Sequence, residues 1–279
     1  MIFRAISKLP FPALYLLSNT LAFFLYRVVR YRYNISLNNL KRAFPHKTPQ
    51  EIKSIQKSAY LHLTDSFLEV VKASSITDEE LSTRVEIKNF KEVEQYLNNG
   101  KPIFFLTAHT GPPEWAAFSV SLKYNCIIDP VYKPIHFKQL DQFIFKMRSN
   151  YQGTPIPYKK LAKDILRRKD VNRSIAMLAD LEPRSRDQTL EIEFLNRQTR
   201  FFLGSERVIK LAGLPVFFIG IKKISRGYYQ IYAEKITDNP KNLAPKEITS
   251  KYVKCVEKII LDNPPAWLWT HKRWKHNST

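Results

Sequence analysis

IFFLTAHTGPPEWAAF, residues 103–118, decides how the chain is to be read. Its first six residues are an apolar run of strand length, the pattern of a strand covered on both faces. Gly111 permits a tight turn, and Pro112 suits the first position of a helix that the pattern predicts over 112–123. Such a strand-to-helix transition puts the residues between them at the carboxyl edge of a sheet, where open α/β folds bind ligands. His109 falls there, and Glu114 falls in the first helical turn.

Outward from this stretch the period keeps switching. A short strand is expected at 85–87 and a helix at 90–97. Beyond the central stretch come a strand at 126–132, helices at 137–151 and 161–168, and a strand in SIAMLAD, residues 174–180. A helix at 204–212 follows, then strands at 216–224 and 228–236 joined by Ser225-Arg226-Gly227, and a last helix over 246–261. This alternation predicts an α/β domain. Upstream, residues 38–73 carry a helical period with a start at Thr48-Pro49 and Glu51, and a shorter helix begins at 77–80. Residues 181–200 lack helical period and read as a long polar loop with at most one short central strand. No internal repeat or low-complexity segment is present.

The N-terminus has a different character. Residues 9–26 carry no charge, with Arg4 and Lys8 before them and Arg27, Arg30 and Arg32 after them. The run is just long enough to approach a bilayer crossing, but Ser18, Asn19, Thr20 and two prolines dilute it. It is read as an uncleaved, membrane-associated helix held at the cytoplasmic face by flanking arginines and tyrosines. The expected organisation is an anchor over 1–33 and a catalytic domain over 34–279. The net charge of +20, from 45 Lys and Arg against 25 Asp and Glu, is spread along the chain and implies a polyanionic partner. Cys126 and Cys255 stand alone, so no disulfide framework or zinc site is indicated, and both are expected to be buried core thiols.

A histidine followed five residues later by an acid occurs three times: His46/Glu51, His109/Glu114 and His136/Asp141. His46 precedes a helix cap with no strand before it, and His136 opens a helix. Only His109 closes an apolar strand. On a continuous helix five residues diverge by about 140°, but His109 precedes the helix and the turn can fold it back towards Glu114. A carboxylate accepting from one imidazole N–H fixes the tautomer and leaves the other nitrogen basic, the arrangement of a general base. No GxSxG elbow is present, so the simplest nucleophile is a substrate hydroxyl attacking an activated acyl carbonyl. Backbone N–H groups near Gly111 are expected to stabilise the oxyanion. The reaction calls for no metal and no cofactor.

Five features in order resemble the lipid A biosynthesis acyltransferases of the lauroyl/myristoyl type, within the lysophospholipid acyltransferase superfamily. They are the apolar N-terminal helix; LNNLKRAFP at 37–45 with the later LTDSFLEVV; His109 to Glu114; VYKPIHFKQLDQFIFKMR at 131–148; and LWTHKRWK at 268–275. The resemblance implies a mixed, mostly parallel central sheet flanked by helices, of the glycerolipid acyltransferase type. It implies His109 as catalytic base with Glu114 as its partner, and Arg148 and Asp180 as substrate-binding positions, which also opens the oxyanion to Arg148. It also implies an acyl carrier protein or CoA thioester donor, a glycolipid or phospholipid acceptor, and a place on the inner membrane. One departure stands out: the family core usually reads His-Phe-Gly-Asn-Trp-Glu, whereas this chain has His-Thr-Gly-Pro-Pro-Glu, which leaves the acceptor open.

Arg184 and Arg186, in the polar loop, are candidates to hold acceptor phosphates by bidentate pairing. Trp267, Trp269 and Trp274, interleaved with His271, Lys272, Arg273 and Lys275, look like an interfacial belt. Two other readings remain at this level: the same fold acylating a lysophospholipid, glycolipid or aminolipid, or a basic membrane- or nucleic-acid-binding protein without catalysis. No nucleic-acid-binding signature is present, so nucleic acid is not the expected partner.

Overall fold

The computed structural model describes residues 2–150, 152–185 and 187–275. Helices α1 (Ile2–Ser7), α2 (Phe11–Phe23), α3 (Tyr33–Ala43), α4 (Pro49–Lys72) and α5 (Asp78–Arg84) come first. The central region runs β1 (Val85–Lys88), α6 (Lys91–Leu97), β2 (Phe104–Thr107), α7 (Pro113–Tyr124), β3 (Ile128–Tyr132) and α8 (Lys138–Arg148). It continues as β4 (Ile156–Pro157), α9 (Leu161–Arg167), β5 (Ser174–Leu178), β6 (Thr189–Phe194) and β7 (Arg197–Phe202). Helix α10 (Gly204–Ala212), β8 (Val216–Ser225), β9 (Tyr228–Thr237) and α11 (Glu247–Asp262) complete it.

Seven strands form one sheet in the order β1-β9-β8-β2-β5-β3-β4. Every neighbouring pair is parallel except the β8–β9 hairpin, so the sheet is mixed and mostly parallel, with helices on both faces. The apolar run of β2 explains itself here. Because side chains alternate along a strand, Phe104 and Leu106 enter the core shared with α9, α10 and α11, while Ile103 and Phe105 enter the one shared with α6 and α7.

The α4 start has the predicted capping box, with Thr48 Oγ1 accepting from Glu51 N–H and Glu51 accepting from Thr48 N–H. Helix α2 lies along α4. Leu14 is buried between them, and Ser18 Oγ donates to Asp65 Oδ1 at 2.6 Å while Tyr15 Oη donates to Glu69 Oε1 at 2.9 Å. The opposite side of this N-terminal element exposes Leu16, Phe23, Phe24, Val28 and Val29. After α2 the chain makes a π-helical turn, Phe24–Val28. Among the described residues no single helix is long and apolar enough to cross a membrane, although the segment Phe11–Val28 with α3 passes by length and composition as a pair bent by 90°.

Three expectations are corrected. The polar loop holds a two-stranded antiparallel hairpin, β6–β7, reversing at Leu195 and Asn196, both in the left-handed region. Its alternation of Leu190, Ile192 and Phe194 with charged residues is strand-like, but Leu is an unusual turn residue and hides the reversal. The tryptophans form no surface belt: Trp267, Trp269 and Trp274 are buried and pack edge to face, because the C-terminal segment folds back over the sheet. Cys126 and Cys255 are only half-buried.

Candidate active site

Register builds the centre. Strands β2 and β5 are parallel neighbours with Thr107 opposite Leu178. Two residues further along each chain lie His109 and Asp180, so the pairing that aligns the strands delivers both side chains to one place on the carboxyl edge. Tyr252 of α11 fastens the two ends together: its hydroxyl donates to the Thr107 carbonyl at 2.8 Å and accepts from Ala179 N–H at 3.3 Å.

His109 Nδ1 lies 2.7 Å from Asp180 Oδ1. Asp180 Oδ2 accepts from His109 N–H at 3.1 Å and from Trp267 Nε1–H at 2.9 Å. The carboxylate is fully buried, whereas 29% of the His109 side chain is exposed, so the ring has one protected and one open edge. Accepting from Nδ1–H fixes the tautomer in which Nε2 carries the free lone pair. Burial works against charge on both partners, yet their attraction and hydrogen bonds win. The His109 imidazole is raised above its ordinary value, with Glu114 adding to the rise and Arg148 opposing it. Burial pushes the Asp180 carboxyl up, but His109 and the donors on it bring it down to about 2.

Glu114 takes a different partner from the one expected. Its Oε1 accepts from Arg148 Nε at 3.0 Å and Nη2 at 2.6 Å, while its buried Oε2 has no hydrogen-bond partner. The orienting carboxylate on His109 is Asp180. The reason is geometric: with Pro113 as the first residue of α7, Glu114 turns towards the end of α8 and Arg148, whereas the β2–β5 register brings Asp180 to the imidazole. Glu114 remains close enough for its charge to act on His109.

Gly111 matters through close approach and has no positive φ. A Cβ there would lie 2.6 Å from Ile221 Cγ2 and 3.2 Å from Tyr229 Cε1, so a side chain would push the turn off the sheet. Arg184 is exposed in a turn in which its N–H donates to Asp187 Oδ2, and it joins none of the His109, Asp180, Glu114 and Arg148 groups. Arg186 lies outside the described residues. His46 and His136 are exposed, as their surroundings suggest.

Beside the centre, a narrow, mostly apolar cavity of about 50 Å³ lies beneath α7. Glu114 and Arg148 line it together with Ala117, Phe118, Val131 and Leu178. A more open, polar cleft bounded by Ala73, Asp78 and Cys126 does not include His109. Two contributors escaped the sequence reading, Tyr252 and the Trp267 indole. Neither belongs to a spacing pattern with His109, and only the folded-back C-terminus brings Trp267 to Asp180.

An imidazole held by a buried carboxylate at the ligand-binding edge of a mostly parallel sheet is an arrangement suited to proton transfer from a bound hydroxyl. The chain belongs to the bacterial lipid A biosynthesis acyltransferase family, whose profile it matches over residues 1–276. Comparison with curated proteins returned no match. The family is one of acyltransferases, which supports acyl transfer as the general activity.

Proposed function

We propose that this protein moves a fatty acyl chain from an acyl thioester, carried by acyl carrier protein, to a hydroxyl of a lipid A-type acceptor on the cytoplasmic face of the inner membrane. The observation that carries this reading is the His109–Asp180 pair opening beside an apolar cleft. His109 Nε2 takes the acceptor hydroxyl proton as the oxygen attacks the thioester carbonyl. Asp180 stabilises the imidazolium that forms. The tetrahedral oxyanion collapses, expelling the thiolate, which takes the proton back from His109.

Arg148 suits the oxyanion: Glu114 holds Nε and Nη2, and among the described residues Nη1 makes no hydrogen bond. The apolar lining of the cavity beneath α7 suits the first carbons of the acyl chain, next to the thioester. The +20 charge favours encounter with an acidic carrier. Leu16, Phe23, Phe24, Val28 and Val29 suit insertion into a bilayer surface, with Arg27, Arg30 and Arg32 stacked on neighbouring tyrosine rings at headgroup level. Pro113, which lines the cleft where the family usually has Trp, favours comparing lysophospholipid, glycolipid and aminolipid acceptors in the same assay.

The test is acyl transfer by purified protein from carrier-linked and CoA-linked donors to a lipid A precursor. His109→Ala is expected to lower the rate by about 10²- to 10⁴-fold, the usual worth of a general base. Turnover equal to that of the unaltered protein would remove the assignment.

A further inference from the structure

His109 has a second side, away from Glu114 and Arg148, and the C-terminal segment forms it. Trp267 is bonded to Asp180. Four residues later His271 follows in a tight turn, with its N–H donating to the Leu268 carbonyl at 2.9 Å. Asn39 Nδ2 donates to the carbonyls of Trp269 at 3.0 Å and His271 at 3.2 Å, Arg32 Nη1 donates to the Thr270 carbonyl at 3.2 Å, and Arg273 pairs with Glu182 at 2.7 Å. The backbone carrying His271 is thus fixed from both directions.

Within this rigid frame the His271 imidazole is unusual. It is half-buried, and among the described residues its buried Nδ1 has no hydrogen-bond partner. A buried polar atom left unpaired is costly, and none of the described residues satisfies this one. Burial, with Arg273, His109 and Arg32 outweighing Asp180, pushes the imidazole down to about 4, so it is neutral near pH 7 and can both donate and accept. Its neighbour Thr270 accepts from Arg32, and Trp267, four residues earlier, bonds Asp180, so the turn carrying His271 is tied to both the α3 start and the buried carboxylate. Arg32 sits at the start of α3 with φ 51°, and Arg30 also has φ 51°.

We propose that His271 and Arg32 form the acceptor side of the site, His271 hydrogen-bonding the acceptor at or beside its reacting hydroxyl and Arg32 pairing with an anionic group of the same lipid. This rests on the acyl-transfer reading above. It divides the substrates about His109: the acyl thioester lies on the side of Arg148 and the apolar cavity, and the polar headgroup lies against the C-terminal segment and the α3 start. His271 and Arg32 are positioning residues.

The experiment measures KM for each substrate separately, using a phosphorylated lipid A precursor in detergent micelles and an acyl carrier protein thioester. His271→Ala is expected to raise the acceptor KM about five-fold, the worth of one neutral hydrogen bond, with His271→Asn recovering part of it. Arg32→Gln is expected to raise it about ten-fold, and by less when the acceptor has been dephosphorylated. The donor KM should move less than about two-fold in each. In ¹⁵N-histidine-labelled full-length protein, the acceptor should shift the His271 ring resonance, identified by its loss in His271→Asn, a readout that does not depend on the alanine variant folding. Equal rises in donor and acceptor KM, or an acceptor KM unaltered by His271→Ala and Arg32→Gln together with an unmoved resonance, would overturn the inference. Full transfer by His109→Ala would instead overturn the base assignment, so the two failures are separable.

Discussion

His109 is made basic by Asp180, and the pH dependence of the reaction follows from that one contact. The imidazole must be neutral to accept a proton, and its pKa is raised, so transfer should fall as pH drops through a value above the ordinary imidazole range. Replacing Asp180 by Asn removes the charge that stabilises the imidazolium. The acidic limb of kcat/KM should then move to lower pH while the plateau rate falls, because the orienting and charge-stabilising partner is lost. A limb that stays in place in Asp180→Asn would show that another group sets it. At this scale the sequence made His109 legible, since an apolar strand ends at it. Its partner was not legible, because Asp180 is distant in sequence and only strand register makes it a neighbour.

Helix α4 is the element whose chemistry the sequence concealed. Its 3.6-residue period suggests an ordinary amphipathic helix, yet Asp65 and Glu69 lie on its buried side. Asp65 is held by Lys223 at 3.0 Å, Arg226 at 2.7 Å and Ser18, so α4 joins α2 to the β8–β9 hairpin. Among the described residues Glu69 makes no salt bridge: its carboxylate accepts from the hydroxyls of Tyr15 and Tyr229, and Lys223 acts on it only through its charge. Burial therefore dominates and pushes its carboxyl from 4.5 up to about 6. A raised carboxyl binds its proton more tightly in the folded state. The resulting stabilisation is complete below the unfolded value and is lost as pH rises through about 6. Glu69→Gln should abolish a stability loss of about 2 kcal/mol between roughly pH 4 and pH 7, which denaturant titrations at several pH values would reveal. An identical slope in both proteins would reassign it. The β6–β7 hairpin was likewise hidden, since charged residues on its open side and a Leu at its reversal mask the alternation.

Across the whole molecule, one face gathers the exposed apolar residues of α2 and its π-helical continuation, and arginines flank it. Leu16 and Phe23 are 68% and 63% exposed, so changing them does not disturb the core. Burying two such side chains in a bilayer surface is worth several kcal/mol at about 1.5–3 kcal/mol each. Leu16→Glu with Phe23→Glu should therefore weaken partitioning onto anionic phosphatidylglycerol vesicles by more than about ten-fold, with an unaltered circular dichroism spectrum. Binding by the unaltered protein should also weaken with salt, through its basic residues. Partitioning that survives the double change would move the membrane-contacting face elsewhere.

The sequence by itself determined the α/β class, most strand and helix positions, the family resemblance and the place of His109. Each depends on local period, turn chemistry or ordered motifs, all of which are written along the chain. Tertiary structure decided which carboxylate meets the imidazole, that Glu114 pairs with Arg148, and that the C-terminal tryptophans are core. Those outcomes depend on parallel register between β2 and β5 and on the return of the last segment over the sheet. Contacts such as Glu114 with Arg148, 34 positions apart, and His109 with Asp180, 71 apart, are set by how whole elements pack, a property that spacing within any one stretch does not carry.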